Sequence, residues 1–335
     1  MSIRKLSFLA IVLTALSCHG PLIAQGNLGQ SGANFLQIHA TPRGAALGGA
    51  VVAVSEGANA LYWNPAGALA TENLELSLNH TRWFMDTRLT YAGVVKRIGR
   101  SSAAGLSALS YSMDEMEITT VEQSEGTGEY FGASDLALGG SYVQSMTDHF
   151  TFGITVKYVQ ETIWNEQASQ MAFDVGSLYR VDFFNLRLGM AVRNFAGKMI
   201  FEGENIDRRI REEQERDLEN NPRAERLIPE FRLPQTFQLG IAFDPIALET
   251  GSLTLLADAN IPSDNVQRMS FGAEYLYRNV AFLRGSYRLN YDLGQWALGG
   301  GVRVSMGGVE THLDYAFSME GVLGNIHRIG VRFAL

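Results

Sequence analysis

The residues best suited to chemistry in this sequence are few and scattered. Asp114, Glu115 and Glu117 crowd three carboxylates into one short stretch. Such a group could hold a hard cation through oxygen ligands, but in a predicted outer loop it reads first as a solvated loop. His80 stands near Arg82 and Asp86, which is either an acid–base group or a hydrogen-bonded polar network at a strand end. His39, His149, His312 and His327 are isolated. Neither a His-Glu-x-x-His metal motif nor a Gly-x-Ser-x-Gly nucleophile motif occurs. The glycines around residues 44–49 are not followed by the Gly-Lys-Ser/Thr of a phosphate loop. No catalytic constellation results, so the chain reads as a non-enzyme with no cofactor and no metal. A formal charge of -8 argues against nucleic acid as a partner.

With so little chemistry to position, the elements themselves carry the information. Arg4 and Lys5 precede an apolar run from Leu6 to Ser17, too short to span a bilayer, with a small-residue cleavage site at Ala24. This predicts a signal peptide over 1–24. Cys18, the one cysteine, follows Ala15-Leu16-Ser17 where a lipoprotein cysteine would stand, although a lipobox more usually has Leu at the place of Ala15. Beyond the signal no apolar run approaches a transmembrane helix. Mean hydropathy is near zero, at -0.02, although 46% of residues are hydrophobic, as expected when apolar and polar residues alternate. Glycine is abundant (35) and proline scarce (8), which suits many strands and tight turns.

Alternation of period two predicts fourteen strands from residue 72 onward, at about 72–83, 88–98, 101–112, 131–145, 149–162, 168–182, 185–196, 234–244, 251–261, 267–278, 280–289, 293–306, 309–318 and 326–335. In the last of these, Ile329, Val331, Phe333 and Leu335 share one face, and Arg328, Gly330, Arg332 and Ala334 the other. Links after even strands are mostly short, at Gly99-Arg100, Thr147-Asp148, Phe183-Phe184, 245–250, Asn279 and Gly307-Gly308, whereas 113–130 and 197–233 are long. A membrane barrel has short turns at one end and long loops at the other; a soluble sandwich has no reason to sort its links by parity. Trp83, Phe84, Tyr111, Tyr130, Phe131, Tyr158, Trp164, Tyr179, Tyr277, Tyr287, Tyr291, Trp296 and Tyr315 fall near strand ends, where aromatic girdles form, or else pack as ordinary core. The link 197–233 is dense in both charges, with Arg208, Arg209, Arg211, Glu212, Glu213 and Glu215, and reads as a solvated helix or loop. The fold class is therefore all-β: a transmembrane antiparallel β-barrel of about 14 strands over 72–335, with 197–233 as a charged extracellular loop, set in the outer membrane of a Gram-negative bacterium.

Residues 25–71 do not alternate. They are small and glycine-rich, with a turn at Asn64-Pro65, and are expected to enter the barrel as a luminal plug, since a lumen of that size would otherwise be open. Gly32-Ala33-Asn34-Phe35-Leu36, Arg43-Gly44-Ala45-Ala46-Leu47-Gly48-Gly49-Ala50 and Ala60-Leu61-Tyr62-Trp63-Asn64-Pro65-Ala66-Gly67 resemble the opening of the PorV/PorQ family, itself similar to the longer FadL fatty-acid transporters, which share the Asn-Pro-Ala turn. The resemblance is specific over about 32–70, where Arg43, Gly44, Gly48, Gly49, Trp63, Asn64, Pro65, Ala66 and Gly67 form the plug motif. It implies a FadL-like barrel with partners in outer-membrane lipid, in secreted proteins with C-terminal β-domains and in translocon components, acting in type IX secretion or surface attachment. The alternative is a FadL-like channel for a hydrophobic small molecule such as a fatty acid. That reading requires an apolar pocket beside the plug and an opening in the wall. Gly139-Gly140 and Gly299-Gly300-Gly301 could kink the wall, or simply let strands curve and make room for the plug.

Overall fold

A computed structural model describes residues 29–203, 206, 230–248, 250–291, 293–321 and 324–335. The segment expected to be a signal peptide, with Cys18, and most of the charged part of 197–233 lie outside the described residues. The barrel strands are β1 (Leu74–Arg82), β2 (Arg88–Arg97), β3 (Ser102–Ser112), β4 (Ala133–Ser145), β5 (Phe150–Ile163), β6 (Glu166–Val181), β7 (Leu186–Ala196), β8 (Thr236–Leu248), β9 (Gly251–Pro262), β10 (Arg268–Tyr277), β11 (Ala281–Leu289), β12 (Trp296–Met306), β13 (Val309–Met319) and β14 (Asn325–Ala334). Each pairs antiparallel with the next, and β14 returns to β1 over Glu75↔Ala334 to Arg82↔His327. The sheet is a closed 14-strand barrel. No described helix is long and apolar enough to cross a membrane; the crossing is made by strands.

The alternation has a physical direction. On β1, Glu75, Ser77, Asn79 and Thr81 are buried in the lumen, while Leu76 and Leu78 are exposed outside. Leu106, Leu138, Leu239, Leu298, Leu313 and Ile329 continue the exposed apolar band round the wall. This inverts the plan of a soluble protein, because lipid rather than water wets the outside. Arg328 and Arg332 turn inward from β14.

Antiparallel pairing of consecutive strands places all links after odd strands at one end. That end carries 113–132 and 197–235, and the opposite end carries the tight turns. Two stretches differ from the expected boundaries. Residues 245–248 are strand rather than turn, because a register shift between Phe243 and Ile246 absorbs Pro245 and lets β8 continue. Within the long links, Met116–Glu117 pair with Tyr130–Phe131, and Lys198–Ile200 pair with Glu230–Arg232, so the ends of both loops are ordered as short hairpins. Among the aromatics, Tyr130, Trp164, Tyr179, Tyr277, Trp296 and Tyr315 are exposed. Trp83 and Tyr291 line a luminal cavity instead, and Tyr111 packs on an interior cluster that includes Leu36.

Inside the wall runs a non-strand segment. It comprises a 3₁₀ turn at Asn34–Gln37, helix α1 (Pro42–Ala46), helix α2 (Gly57–Trp63) and a 3₁₀ helix at Pro65–Ala70. Thr41 caps α1, accepting from the Gly44 N–H at 3.3 Å, and Pro42 occupies the first helical position. α1 lies along β11 to β14, α2 along β1 to β3, and the 3₁₀ helix along β3 to β6.

The outward band makes a direct prediction. Leu106 lies next to the middle of β3 and is 65% exposed. Leu106→Arg is expected to cost about 2–4 kcal/mol of barrel stability, read from denaturant unfolding in lipid vesicles. A cost near zero would place this face out of the bilayer.

Candidate functional site

The residues singled out in the glycine-rich segment converge inside the barrel. Arg43 projects from α1 to the wall and grips Glu274 of β10 with two parallel bonds, Nε to Oε2 at 2.9 Å and Nη2 to Oε1 at 2.8 Å. Its third nitrogen, Nη1, donates to the Val54 carbonyl and to Glu56, each at 3.1 Å. Glu274 also accepts from Arg284 Nε at 2.5 Å, and Arg284 Nη1 reaches Asp314 Oδ1 at 2.5 Å. A ladder of alternating charge thus runs from the segment through β10, β11 and β13. Burial alone would lower the Arg43 pKa, but Glu274 and Glu56 outweigh it and hold the guanidinium above its ordinary value.

Trp63 stands at the centre. Its indole N–H donates to Thr41 Oγ1 at 2.8 Å, and its ring covers Gly44 so closely that a Cβ there would meet Cζ2 at 2.4 Å. Asn64 is fully buried and spends its side chain completely. Nδ2 donates to the Val52 carbonyl at 2.8 Å and to the Ser177 carbonyl of β6 at 3.0 Å, and Oδ1 accepts from the Ala66 N–H at 3.2 Å. Pro65 starts the following 3₁₀ helix, and Gly67 passes the Ser55 carbonyl with no room for a side chain. Gly48 and Gly49 turn the backbone through positive φ, at 63° and 83°.

The wall is cut to fit. Gly153 and Gly176 face each other across β5 and β6, directly behind the Asn64-Pro65-Ala66 turn. A Cβ at Gly176 would lie 2.0 Å from Asn64 Oδ1, and one at Gly153 2.7 Å from the Ala66 nitrogen. Gly189 and Gly240, paired across β7 and β8, do the same for Val52 and Ala53. Gly153, Gly176, Gly189 and Gly240 escaped the sequence reading, which singled out only Gly139-Gly140 and Gly299-Gly300-Gly301 in the wall. Their signal was present, because each occupies an inward place in the two-residue alternation. Gly299 of β12 also belongs here, with Ala46 Cβ against it, and Gly139 and Gly301 press on Ser107 and Asp314, whereas Gly140 and Gly300 face away from the lumen. Pairing runs through Gly139–Gly140 and Gly299–Gly301 without a register shift. The shifts lie at Phe173/Val175 and Phe243/Ile246.

His39 packs edge-on to Trp63 with centroids 5.1 Å apart, beside a polar cavity of about 210 Å³. His80 bonds to Thr90 at 3.1 Å rather than to Arg82, which instead pairs with Asp86 at 3.1 Å on the surface. Asp114 pairs with Arg88. Among the described residues no three His, Cys, Asp or Glu side chains are grouped to hold a metal ion.

Two outcomes follow from this geometry. Arg43→Met leaves Glu274 and Glu56 short of a cation, and breaking such a buried pair costs about 3–5 kcal/mol. Amide exchange over 42–63 is expected to accelerate while the strands keep their protection; unchanged exchange there would remove Arg43 as the anchor. His39 is held well below its ordinary value of 6.5, first by burial and then by Arg288, Arg328, Arg193 and Arg268. Its neutral form is favoured when folded, so its contribution is present above about pH 6.5 and is lost as pH falls below that value. Protection over 36–49, taken relative to the intrinsic exchange rate at each pH, is expected to fall between pH 7.5 and 5.5 (about one unit either side of the ordinary imidazole value), and His39→Asn to flatten that fall.

With this geometry in view, the relatives are informative. The family profile described as Type IX secretion system protein PorV matches residues 24–258. No curated protein sequence matches the chain. Among solved structures, the Ralstonia pickettii toluene transporter TbuX superposes with a TM-score of 0.55 at 13% identity, covering 88% of this chain and 96% of that one. The Pseudomonas putida toluene transporter TodX gives 0.55 at 14%, with the same coverage. A Pseudomonas aeruginosa FadL homologue gives 0.53 at 13%, again with 88% and 96% covered. At these identities the structures establish a shared barrel architecture and nothing about ligand. The family match covers most of the chain, and this outer-membrane β-barrel belongs to the PorV family of type IX secretion system proteins.

Proposed function

We propose that this barrel acts in type IX secretion or surface attachment by binding exported proteins with C-terminal β-domains, or translocon partners, at its loop-bearing end. In this reading 1–24 is the export signal, 25–71 the plug, 72–335 the barrel, and 197–233 an extracellular loop. The observation that carries the proposal, beside the family match, is a filled lumen. The inner segment is tied to the wall through Arg43, Asn59, Asn64 and the Ala58 N–H. The space beside it is polar, small and lined by arginines and carboxylates. A barrel filled this way is better suited to holding a partner at its mouth than to passing one through.

A channel for a hydrophobic molecule, as the titles of the toluene transporters describe those proteins, requires an apolar pocket next to the plug. Arginine side chains stand in that position here.

Affinity purification of the detergent-solubilised protein from its own envelope, with bound proteins and lipids identified by mass spectrometry, tests the proposal. Exported proteins sharing a C-terminal β-domain, or translocon subunits, are expected. Acyl lipid without any protein partner would overturn the secretion reading in favour of the channel.

A further inference from the structure

The luminal cavity beside the plug holds more unpaired polar chemistry than a seal requires. Its floor includes Gln37, His39 and the Gly48–Gly49 turn, its walls come from β7 to β11 and β14, and Trp83 and Tyr291 enter from links at the loop-bearing end. Six side-chain atoms among its lining residues are buried without a partner: Arg193 Nε, Arg268 Nε, Thr236 Oγ1, Gln238 Oε1, Asp258 Oδ1 and Asn260 Oδ1. Buried polar atoms are as a rule paired, so six gathered round one space point to something that occupies it.

The charges indicate what that is. Arg193, Arg268, Arg288 and Arg328 meet only two carboxylates, Asp258 and Glu320, around the cavity. Glu320 is taken by Arg288 at 3.2 Å, and Asp258 Oδ2 accepts from the Val52 N–H at 3.0 Å. Among the described residues Arg193, Arg268 and Arg328 form no ion pair. Each guanidinium instead lies over a ring: Arg193 over Trp63 at 5.3 Å, Arg268 over Tyr291 at 4.6 Å, and Arg328 over Trp83 at 5.4 Å. Stacking fixes the plane of the fork and leaves donor edges available, an arrangement suited to a carboxylate or phosphate. The free atoms of Gln238, Asn260 and Asp258 are acceptors and require donors in turn. An acyl chain satisfies neither set. Water satisfies the acceptors but leaves the cations uncompensated.

We propose that this cavity is a binding site for a small free anion that also carries hydroxyl groups, of the sugar-acid or sugar-phosphate class, its acid group held by Arg268 with Arg193 and its hydroxyls donating to Gln238, Asn260 and Asp258. A volume of about 210 Å³ admits a molecule of that size and excludes a polymer. The site does not depend on the secretion role and stands or falls separately from it.

Isothermal titration calorimetry of the full-length protein in detergent provides the test, with gluconate, glucose 6-phosphate, inorganic phosphate and glucose as probes. Gluconate or glucose 6-phosphate is expected to bind at least about tenfold more tightly than phosphate or glucose, because only they engage both sets of partners. The Arg268 Nε has no hydrogen-bond partner among the described residues, so Arg268→Gln should preserve the barrel, checked by heat-modifiable electrophoretic migration. The same variant should weaken binding by about tenfold or more, and Arg268→Lys, which keeps the charge and loses the fork, should recover only part. Absence of heat from both hydroxylated anions at millimolar concentration, equal binding of phosphate alone, or binding indifferent to Arg268→Gln would each overturn the proposal.

Discussion

Every backbone N–H and C=O at membrane depth must find a partner in the protein, since lipid offers none. The strands meet this requirement by closing on themselves. The inner segment cannot, because its helices are too short to satisfy their own ends and its turns leave polar groups open. It relies on the wall and on its own side chains. The Ala58 N–H goes to Glu75 and the Ala58 carbonyl to Tyr91; the Val52 N–H goes to Asp258 and the Val52 carbonyl to Asn64; the carbonyls of Leu36 and Ile38 share the Tyr62 hydroxyl. Polar residues pointing inward on the strands are thus partners for a particular irregular chain, which accounts for a lumen that is polar yet densely occupied.

Close packing and hydrogen bonding are met by the same device. A backbone carbonyl can reach a strand only if no side chain stands between them, so the wall presents glycine wherever the segment comes nearest. Gly176 behind Asn64 and Gly189 behind Val52 are the clearest cases. Where the approach is looser, alanine and valine complete the interior, as with Ala103 and Val143 around Leu61. The charge ladder from Arg43 to Asp314 adds direction: the segment is held on the β10 side by ions and on the β5–β6 side by the amide of Asn64.

Much of this was legible in the sequence because the barrel wall obeys a local rule. Alternation in Leu74-Glu75-Leu76-Ser77-Leu78-Asn79 or Val302-Arg303-Val304-Ser305 depends only on which solvent each face meets, so strand positions and the parity of links could be read directly. The position of the small-residue segment could be read too, from its lack of alternation. Its partners could not. Arg43 and Glu274 are separated by 231 residues, and nothing in the local pattern of either names the other. Proline misled at 245, where a bulge kept the strand going. Trp83, Tyr111 and Tyr291 sit at strand ends as girdle residues do, and only the closed wall decides which of them turn inward. The arginines of the cavity come from β7, β10, β11 and β14 and meet only once the barrel has closed.

The seam between β1 and β14 has a consequence for how such a molecule is made. In sequence order the contents of the barrel precede the wall that surrounds them, and β14 shuts that wall by pairing with β1. Along that strand Gly330 lies against Pro42, Arg328 donates to the His39 carbonyl, and Arg332 reaches Glu56 and Glu75. Two of the three contacts of the closing strand with charged or backbone partners therefore run to the enclosed segment, and an empty barrel would bring two arginines to the seam with those partners missing. A wall closed around a misplaced segment would forfeit both of these contacts at the seam.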